Sequence, residues 1–323
     1  MSMRYLAGFV SAFYNPLKVA DAPTIGMASA GNSQISITFT APSNIGGGAI
    51  TGYIATAKKT FDSTTVSATG ASSPITITGL TNGSAYTVTV AAVNSFGPSA
   101  SSAASSSVSP VAPPTVIGQA FGGGYYAGQI GVSSVATHYL IVGPVSSAQA
   151  SNISWKTSNT ITAGTESVID GPANSTAMNN ASHPAAQFCK AVTAGGFSDW
   201  YMPAQNELEV CYYNLKPTTQ NNYVGTLGGN VVGVNPNAVP ARASGYTTGT
   251  PSQTSAAAFQ SSGAEAFTSG PNTNDATYWS STQRAAPYGA NYAMTIRFQD
   301  GVLIYRQKFN PIYKARAVRR VAV

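Results

Sequence analysis

A chain of 323 residues has room for two ordinary domains, each able to bury a core. Hydrophobic residues make up 43% of it but charged residues only 8%, against roughly 25% in average globular proteins, so polarity comes from Ser, Thr, Asn and Gly. The formal charge of +6 does not point to nucleic acid: the eight basic residues of the last forty positions (Arg284, Arg297, Arg306, Lys308, Lys314, Arg316, Arg319 and Arg320) are spread through a strand-rich segment, neither gathered on a helix nor interleaved with stacking aromatics.

Residues 1–21 read as an arm. Its apolar residues, from Tyr5 to Leu17, are broken up by Gly8, Asn15 and Pro16 and have too few neighbours to form a core. Two readings stay open: a first strand of the next domain, or a docking peptide that orders against a larger assembly. Lys18 and Asp21 stand where a leader's cleavage site is small and neutral, so no export leader is expected. No apolar stretch reaches the ~18–20 residues that span a membrane, and membrane insertion is not expected.

Residues 22–113 read as a β-sandwich. Ile35, Ile37 and Phe39 alternate with Ser36, Thr38 and Thr40, the period of a half-buried strand. Ile75 and Ile77, then Tyr86, Val88, Val90 and Ala92, repeat it, with Gly46-Gly47-Gly48 and Asn82-Gly83 as turns. The stretch Leu80-Thr-Asn-Gly-Ser-Ala-Tyr86 and its continuation to Gly97 resembles the end of a fibronectin type III module. That resemblance implies a tyrosine corner at Tyr86, with Phe39 filling the place of the usual core tryptophan, and a spacer or docking role. Ser99 to Pro114 is expected to hold a last strand and then a stiffened linker.

Residues 114–323 form the second domain. Ala185, Phe188, Cys189 and Val192 fall on one helical face, with Ser182 as the expected N-cap and Pro184 in the first turn. A second helix is predicted over about Ala204 to Leu215. Lys216 to Thr277, rich in Gly, Asn, Ser, Thr and Ala, far exceeds the usual loop length of ~4–6 residues and reads as a functional or partner-facing insertion. Strands follow at Tyr278–Thr282, Tyr292–Phe298, Val302–Tyr305 and Ala315–Val321.

Three segments carry a second resemblance: Phe197-Ser-Asp-Trp-Tyr-Met-Pro-Ala-Gln-Asn-Glu-Leu208, Tyr278-Trp-Ser-Ser-Thr282 and Ala315-Arg-Ala-Val-Arg-Arg-Val321. Together they resemble the signatures of the Lcl C-terminal domain family, which implies a C-type lectin-like fold. It also implies that Trp200, Pro203 and Trp279 are frame residues. The expected fold class is therefore mainly β with α+β: a fibronectin type III β-sandwich followed by a C-type lectin-like domain carrying two helices.

Catalytic chemistry is poorly provided for. His138 and His183 are the two histidines, and no nucleophile elbow, zinc motif or paired-Cys spacing occurs. The triple glycines lack the context of phosphate cradles and read as turns. Cys189 and Cys211 fall on apolar helix faces and read as free buried thiols, with one structural disulfide as the alternative. Asn272, Asn274 and Asp275 lack the carboxylate cluster that calcium needs, so neither a metal nor a cofactor is expected. Ligand recognition is assigned instead to Tyr246 in the insertion and to Arg284, Tyr288, Asn291 and Tyr292 between two frame strands, because tyrosine offers rigid area with a hydrogen-bonding tip. Phe259 and Phe267 are grouped with Tyr246 as loop aromatics.

The arm, the absent leader and the domain order resemble accessory structural proteins of tailed bacteriophages. The expected function is a virion surface adhesion protein that binds host or environmental glycans. It would be a homo-oligomer held to other virion proteins by the arm, with no role as an enzyme. A purely structural decoration protein and a bacterial cell-surface adhesin are the alternatives.

Overall fold

The computed structural model describes residues 17–227, 230–270, 274–284 and 288–323, with the backbone alone at Asn230 and Tyr288. Most of the arm, residues 1–16, lies outside the described residues. The chain divides into two compact units that meet between Pro113 and Pro114, and both are mainly β.

Seven strands build the first unit: β1 (Thr24–Gly31), β2 (Gln34–Thr40), β3 (Ile50–Lys59), β4 (Thr65–Gly70), β5 (Ile75–Thr78), β6 (Tyr86–Asn94) and β7 (Gly97–Pro98). They form one sheet in the order β1-β2-β5 and another in the order β4-β3-β6-β7. The core is the alternating set that the sequence predicts: Ile35, Ile37 and Phe39 meet Ala55, Ala57, Val88, Val90 and Ala92. Phe39 packs on Tyr53 with ring centroids 4.6 Å apart. The Tyr86 hydroxyl accepts the Thr81 N–H at 3.1 Å, which closes the tyrosine corner. Lys18 and Asp21, assigned to the arm by sequence, donate their N–H groups to Gly46 and Asn44, and Ala20 is buried, so these residues belong to the sandwich.

The expected last strand is not an ordinary one. Ser99, Ser102 and Ser105 recur every third residue, and their N–H groups donate to the carbonyls of Ala92, Val90 and Val88. Each hydroxyl in turn accepts the N–H of that same β6 residue at 3.0 Å. A side-chain oxygen thus replaces a strand carbonyl, and the segment satisfies β6 with a period of three instead of two. Serine does this because its hydroxyl is short enough to compete with the backbone.

The second unit contains β8 (Ala120–Phe121), β9 (Gly124–Val132), β10 (Val135–Val142), α1 (Val145–Ala148), β11 (Gln149–Ile153), α2 (Gly171–Ala177), α3 (Pro184–Ala191) and α4 (Gln205–Leu215). It continues with β12 (Thr226–Leu227), β13 (Asn230–Val231), β14 (Ala238–Val239), β15 (Thr277–Gln283), β16 (Tyr292–Arg297), β17 (Leu303–Gln307), β18 (Tyr313–Arg316) and β19 (Val318–Ala322). One sheet runs β14-β9-β10-β19 with β8 added to β9, and another runs β11-β18-β15-β16-β17.

Four α-helical segments are described where the sequence predicts two. Short α2 and α1 lack a long apolar period, and α2 forms because Asp170 caps the Ala173 N–H at 3.1 Å ahead of Pro172. The N-cap of α3 is His183 instead of Ser182, with Pro184 in the first turn as expected.

Trp155, Trp200 and Trp279 are fully buried, as are Cys189 and Cys211, which are both free thiols in different core clusters. The 216–277 insertion corrects its sequence reading. Phe259, Phe267 and Tyr246 do not face a partner; they complete the core against Tyr212, Tyr278 and Phe298. Phe267 stacks on Phe298 at 3.8 Å. Aromatic side chains of this size bury ~150–250 Å² each, and that outweighs the polar composition around them.

Most of the terminal basic residues have internal partners. Arg319 binds Asp199 through Nε at 2.8 Å and the Gly122 carbonyl, while Arg320 binds Glu207 through Nε at 2.7 Å. Arg316, wholly buried, binds Glu265 at 3.0 Å and lies 4.7 Å from the Phe267 ring centre. The signature segments are therefore ion-paired to one another: Asp199 and Glu207 of the first meet Arg319 and Arg320 of the last.

Candidate functional site

Helix α4 organises the site. Pro203 and Ala204 lead into it, and the Glu207 carboxylate accepts the Ala204 N–H at 2.8 Å, the Tyr201 hydroxyl and Arg320. One residue pair further on, Glu209 points to the opposite flank. It accepts the Tyr246 hydroxyl and the Asn235 amide, each at 2.5 Å, and is ion-paired with Arg242. Burial pushes the pKa of both carboxyls up, and the adjacent arginines oppose that push. Asn235 also donates to the Asn206 carbonyl at 2.9 Å and accepts the N–H groups of Asn237 and Ala238. A buried carboxylate and one buried amide thus fasten residues 231–246 to the helix.

Between that segment, the first turns of α4 and the face of β15-β16-β17 lies a cleft of about 450 Å³. Its polar lining comes from Glu166, Gln205, Asn206, Glu209, Gln283 and Arg284. Val231–Val234, Met294, Ile296, Leu303 and Tyr305 supply apolar walls. The Arg284 guanidinium lies over the Tyr305 ring, 4.3 Å from its centre. Gly301 closes the β16–β17 turn at φ +75°, and a Cβ there would stand 2.2 Å from the Tyr212 ring. Only glycine lets this turn pass so close to the helix.

The sequence-assigned ligand residues divide on this geometry. Tyr246 and Arg284 both line the cleft. Tyr246 is nevertheless only 6% exposed with its hydroxyl committed to Glu209, so it is a wall and not a free loop aromatic. Asn291 is exposed and Tyr292 half-buried at the start of β16, and neither lines the cleft. The side chain of Tyr288 lies outside the described residues. Gln205, Asn206, Gln283 and Tyr305 line the cleft without being singled out by the sequence. Gln205 and Asn206 read in sequence as a helix start and Tyr305 as a strand end, while Gln283 follows the predicted strand Tyr278–Thr282 with no signal of its own.

Below the cleft a second polar cluster is buried. Thr162 Oγ1 lies 2.8 Å from His183 Nε2, and His183 Nδ1 lies 2.8 Å from Asn180 Oδ1. Lys156 donates to Thr162 Oγ1 at 2.8 Å, and Lys308 is enclosed beside the Trp155 ring. Burial, with the two lysines nearby, holds the His183 pKa down at about 4. His183, the N-cap of α3, is therefore an interior group. Among the described residues no cluster of His, Cys, Asp and Glu could hold a metal ion, and no helix is long and apolar enough to cross a membrane.

Residues 147–319 match the Lcl C-terminal domain family, and residues 21–108 match the fibronectin type III domain. No curated protein matches the chain. Among solved structures, titin kinase with its flanking domains is 25% identical, with 29% of this chain and 17% of that chain covered and a TM-score of 0.27. The FN5 domain of Drosophila Lar is 24% identical over 29% of this chain and 100% of its own, with a TM-score of 0.25. A human fourth FNIII domain is 21% identical over 34% and 94%, with a TM-score of 0.27. The chain thus spans less than a fifth of the titin kinase structure's length. With more than half of its residues inside the match, this chain belongs to the Lcl C-terminal domain family and carries a fibronectin type III domain ahead of that match.

Proposed function

We propose that this chain is an adhesion protein of a virion surface, in which a C-type lectin-like domain binds a glycan and the fibronectin type III domain acts as spacer. The observation that carries the binding part is the cleft at α4 and β15-β17. It combines amide and carboxylate groups with apolar walls, the mixture that suits a ligand with hydroxyls on one side and C–H groups on the other. Its volume of about 450 Å³ falls in the ordinary range of small-ligand sites, ~300–1,000 Å³. The virion setting is supported by the sequence of the arm and by the uncharged, hydroxyl- and amide-rich composition. Glu207, Glu209 and Arg316 are committed to structure, so the reading assigns the chain binding, not turnover of a glycan.

The test is a glycan array probed with the 114–323 fragment beside its Gln205→Ala and Tyr305→Ala variants. A ligand retained by the fragment and weakened by both variants supports the reading. A fragment that is folded by circular dichroism and binds no glycan removes it and leaves the structural decoration protein as the better account.

A further inference from the structure

The buried lysine–glutamine contact beneath the cleft has a use that the binding reading does not absorb. Lys308 follows β17, is fully buried, and donates from Nζ to Gln283 Oε1 at 2.5 Å and to the Thr160 carbonyl at 3.1 Å. The same Gln283 oxygen accepts the Thr162 backbone N–H at 2.9 Å, while Gln283 Nε2 donates to Glu166 Oε1 at 3.1 Å. Lys156 donates to the Thr160 carbonyl too, at 3.2 Å, to Ile161 O at 3.1 Å and to Thr162 Oγ1. Two ammonium groups sharing one carbonyl repel each other, and the Trp155 ring 4.6 Å from Lys308 Nζ keeps water away. Burial and the neighbouring Lys156 bring the Lys308 pKa down to about 7, so the neutral amine is accessible.

We propose that Lys308 and Gln283 join in an intramolecular isopeptide bond. The parts of an acyl transfer are assembled here: an amine held against a carboxamide, an N–H on the carbonyl oxygen, and a carboxylate on the leaving nitrogen. The Lys308 nitrogen lone pair attacks Cδ of Gln283, and the electron pair of the C=O moves to Oε1, where the Thr162 N–H stabilises it. One proton of the attacking nitrogen passes by way of Glu166 to the departing nitrogen. The Cδ–Nε2 bond then breaks, the carbonyl re-forms, and ammonia leaves. No oxidant or other reagent is consumed.

The product would tie the last residue of β15 to the residue after β17, across β16, and would close the 284–307 segment at its base. In a protein that works under tension such a staple holds three strands together without any added metal or disulfide.

Intact-mass spectrometry of the purified full chain tests this, followed by tandem spectrometry of its tryptic peptides. The expected protein is one ammonia lighter than its sequence mass, with Gln283 joined to Lys308 in one branched peptide and no tryptic cleavage after Lys308. Lys308→Met and Gln283→Leu are expected at their full sequence masses. Because these core changes can themselves unfold the domain, Glu166→Gln, at an exposed side chain, is the second probe, and its folded protein should retain an unreacted fraction. A folded wild-type protein that keeps its full mass after long incubation in mildly alkaline buffer overturns the proposal. So does an ammonia loss that persists in Lys308→Met, which would identify another nucleophile such as Thr162.

Discussion

In the sandwich, β2, β5 and β6 meet through Ile35, Ile37, Ile77, Val88 and Val90, and no charged side chain among its described residues is buried. After Pro114 the interior holds Lys156, Glu207, Glu209, Lys216, Lys308, Arg316 and Arg319 beside its aromatics. The first unit is specified by alternation along each strand, and nearly any apolar residue of similar volume keeps it folded. The second is specified by pairs: Glu207 with Arg320, Glu209 with Arg242, Glu265 with Arg316. Each pair joins segments far apart in sequence, and each is costly to break because one buried charge is left behind.

The largest expected difference between the two units lies at Trp279, which is fully buried in the second. Replacing it with alanine should cost ~3–5 kcal/mol as a core cavity and abolish the unfolding transition of the Lcl domain. Calorimetry should show the sandwich transition unmoved; a shift of both would mean that the units do not unfold independently. Next comes a contrast between neighbouring arginines. Arg320→Ala leaves Glu207 buried without its cation and should cost ~3–5 kcal/mol. Asp199 is 53% exposed, so the Arg319–Asp199 pair itself is worth only ~0–1 kcal/mol, and Arg319→Ala should cost mainly its packing on Phe197. Equal losses in the two variants would sink the distinction between buried and exposed pairs.

Acidification offers a third test. His183 is held at about 4, below its unfolded value of ~6.5, so the unfolded state takes up the proton first. Its contribution to stability is complete above about 6.5 and is lost as the pH falls through about 4. Burial raises Glu207 and Glu209 and tilts the profile the other way, so the measurement is the difference between wild type and His183→Gln across that window. Parallel profiles would contradict the assignment. A smaller effect is expected in the sandwich: Tyr86→Phe removes one hydrogen bond to Thr81 and should lower only the first transition, by ~0.5–1.5 kcal/mol. The smallest is none at all. Cys189 and Cys211 are separate buried thiols whose pKa values burial raises, so reductant should leave both melting temperatures where they are.

The tyrosine corner and the tryptophan frame came from the family resemblances of their segments, whereas the sequence by itself determined the sandwich strands and the helix after Pro203. These depend on periods and spacings within one or two neighbouring elements, and a periodic apolar pattern has few ways to be buried. Only the tertiary structure decided the fate of the 216–277 segment, whose polar composition hid three core aromatics and the buried Asn235. It also decided the cleft, since Gln205, Gln283 and Tyr305 become neighbours only when α4, β15 and β17 are packed. The buried charges belong to the same class. An arginine in a strand looks the same in sequence whether it meets water or Glu207, because burial is a property of what the rest of the chain places around it.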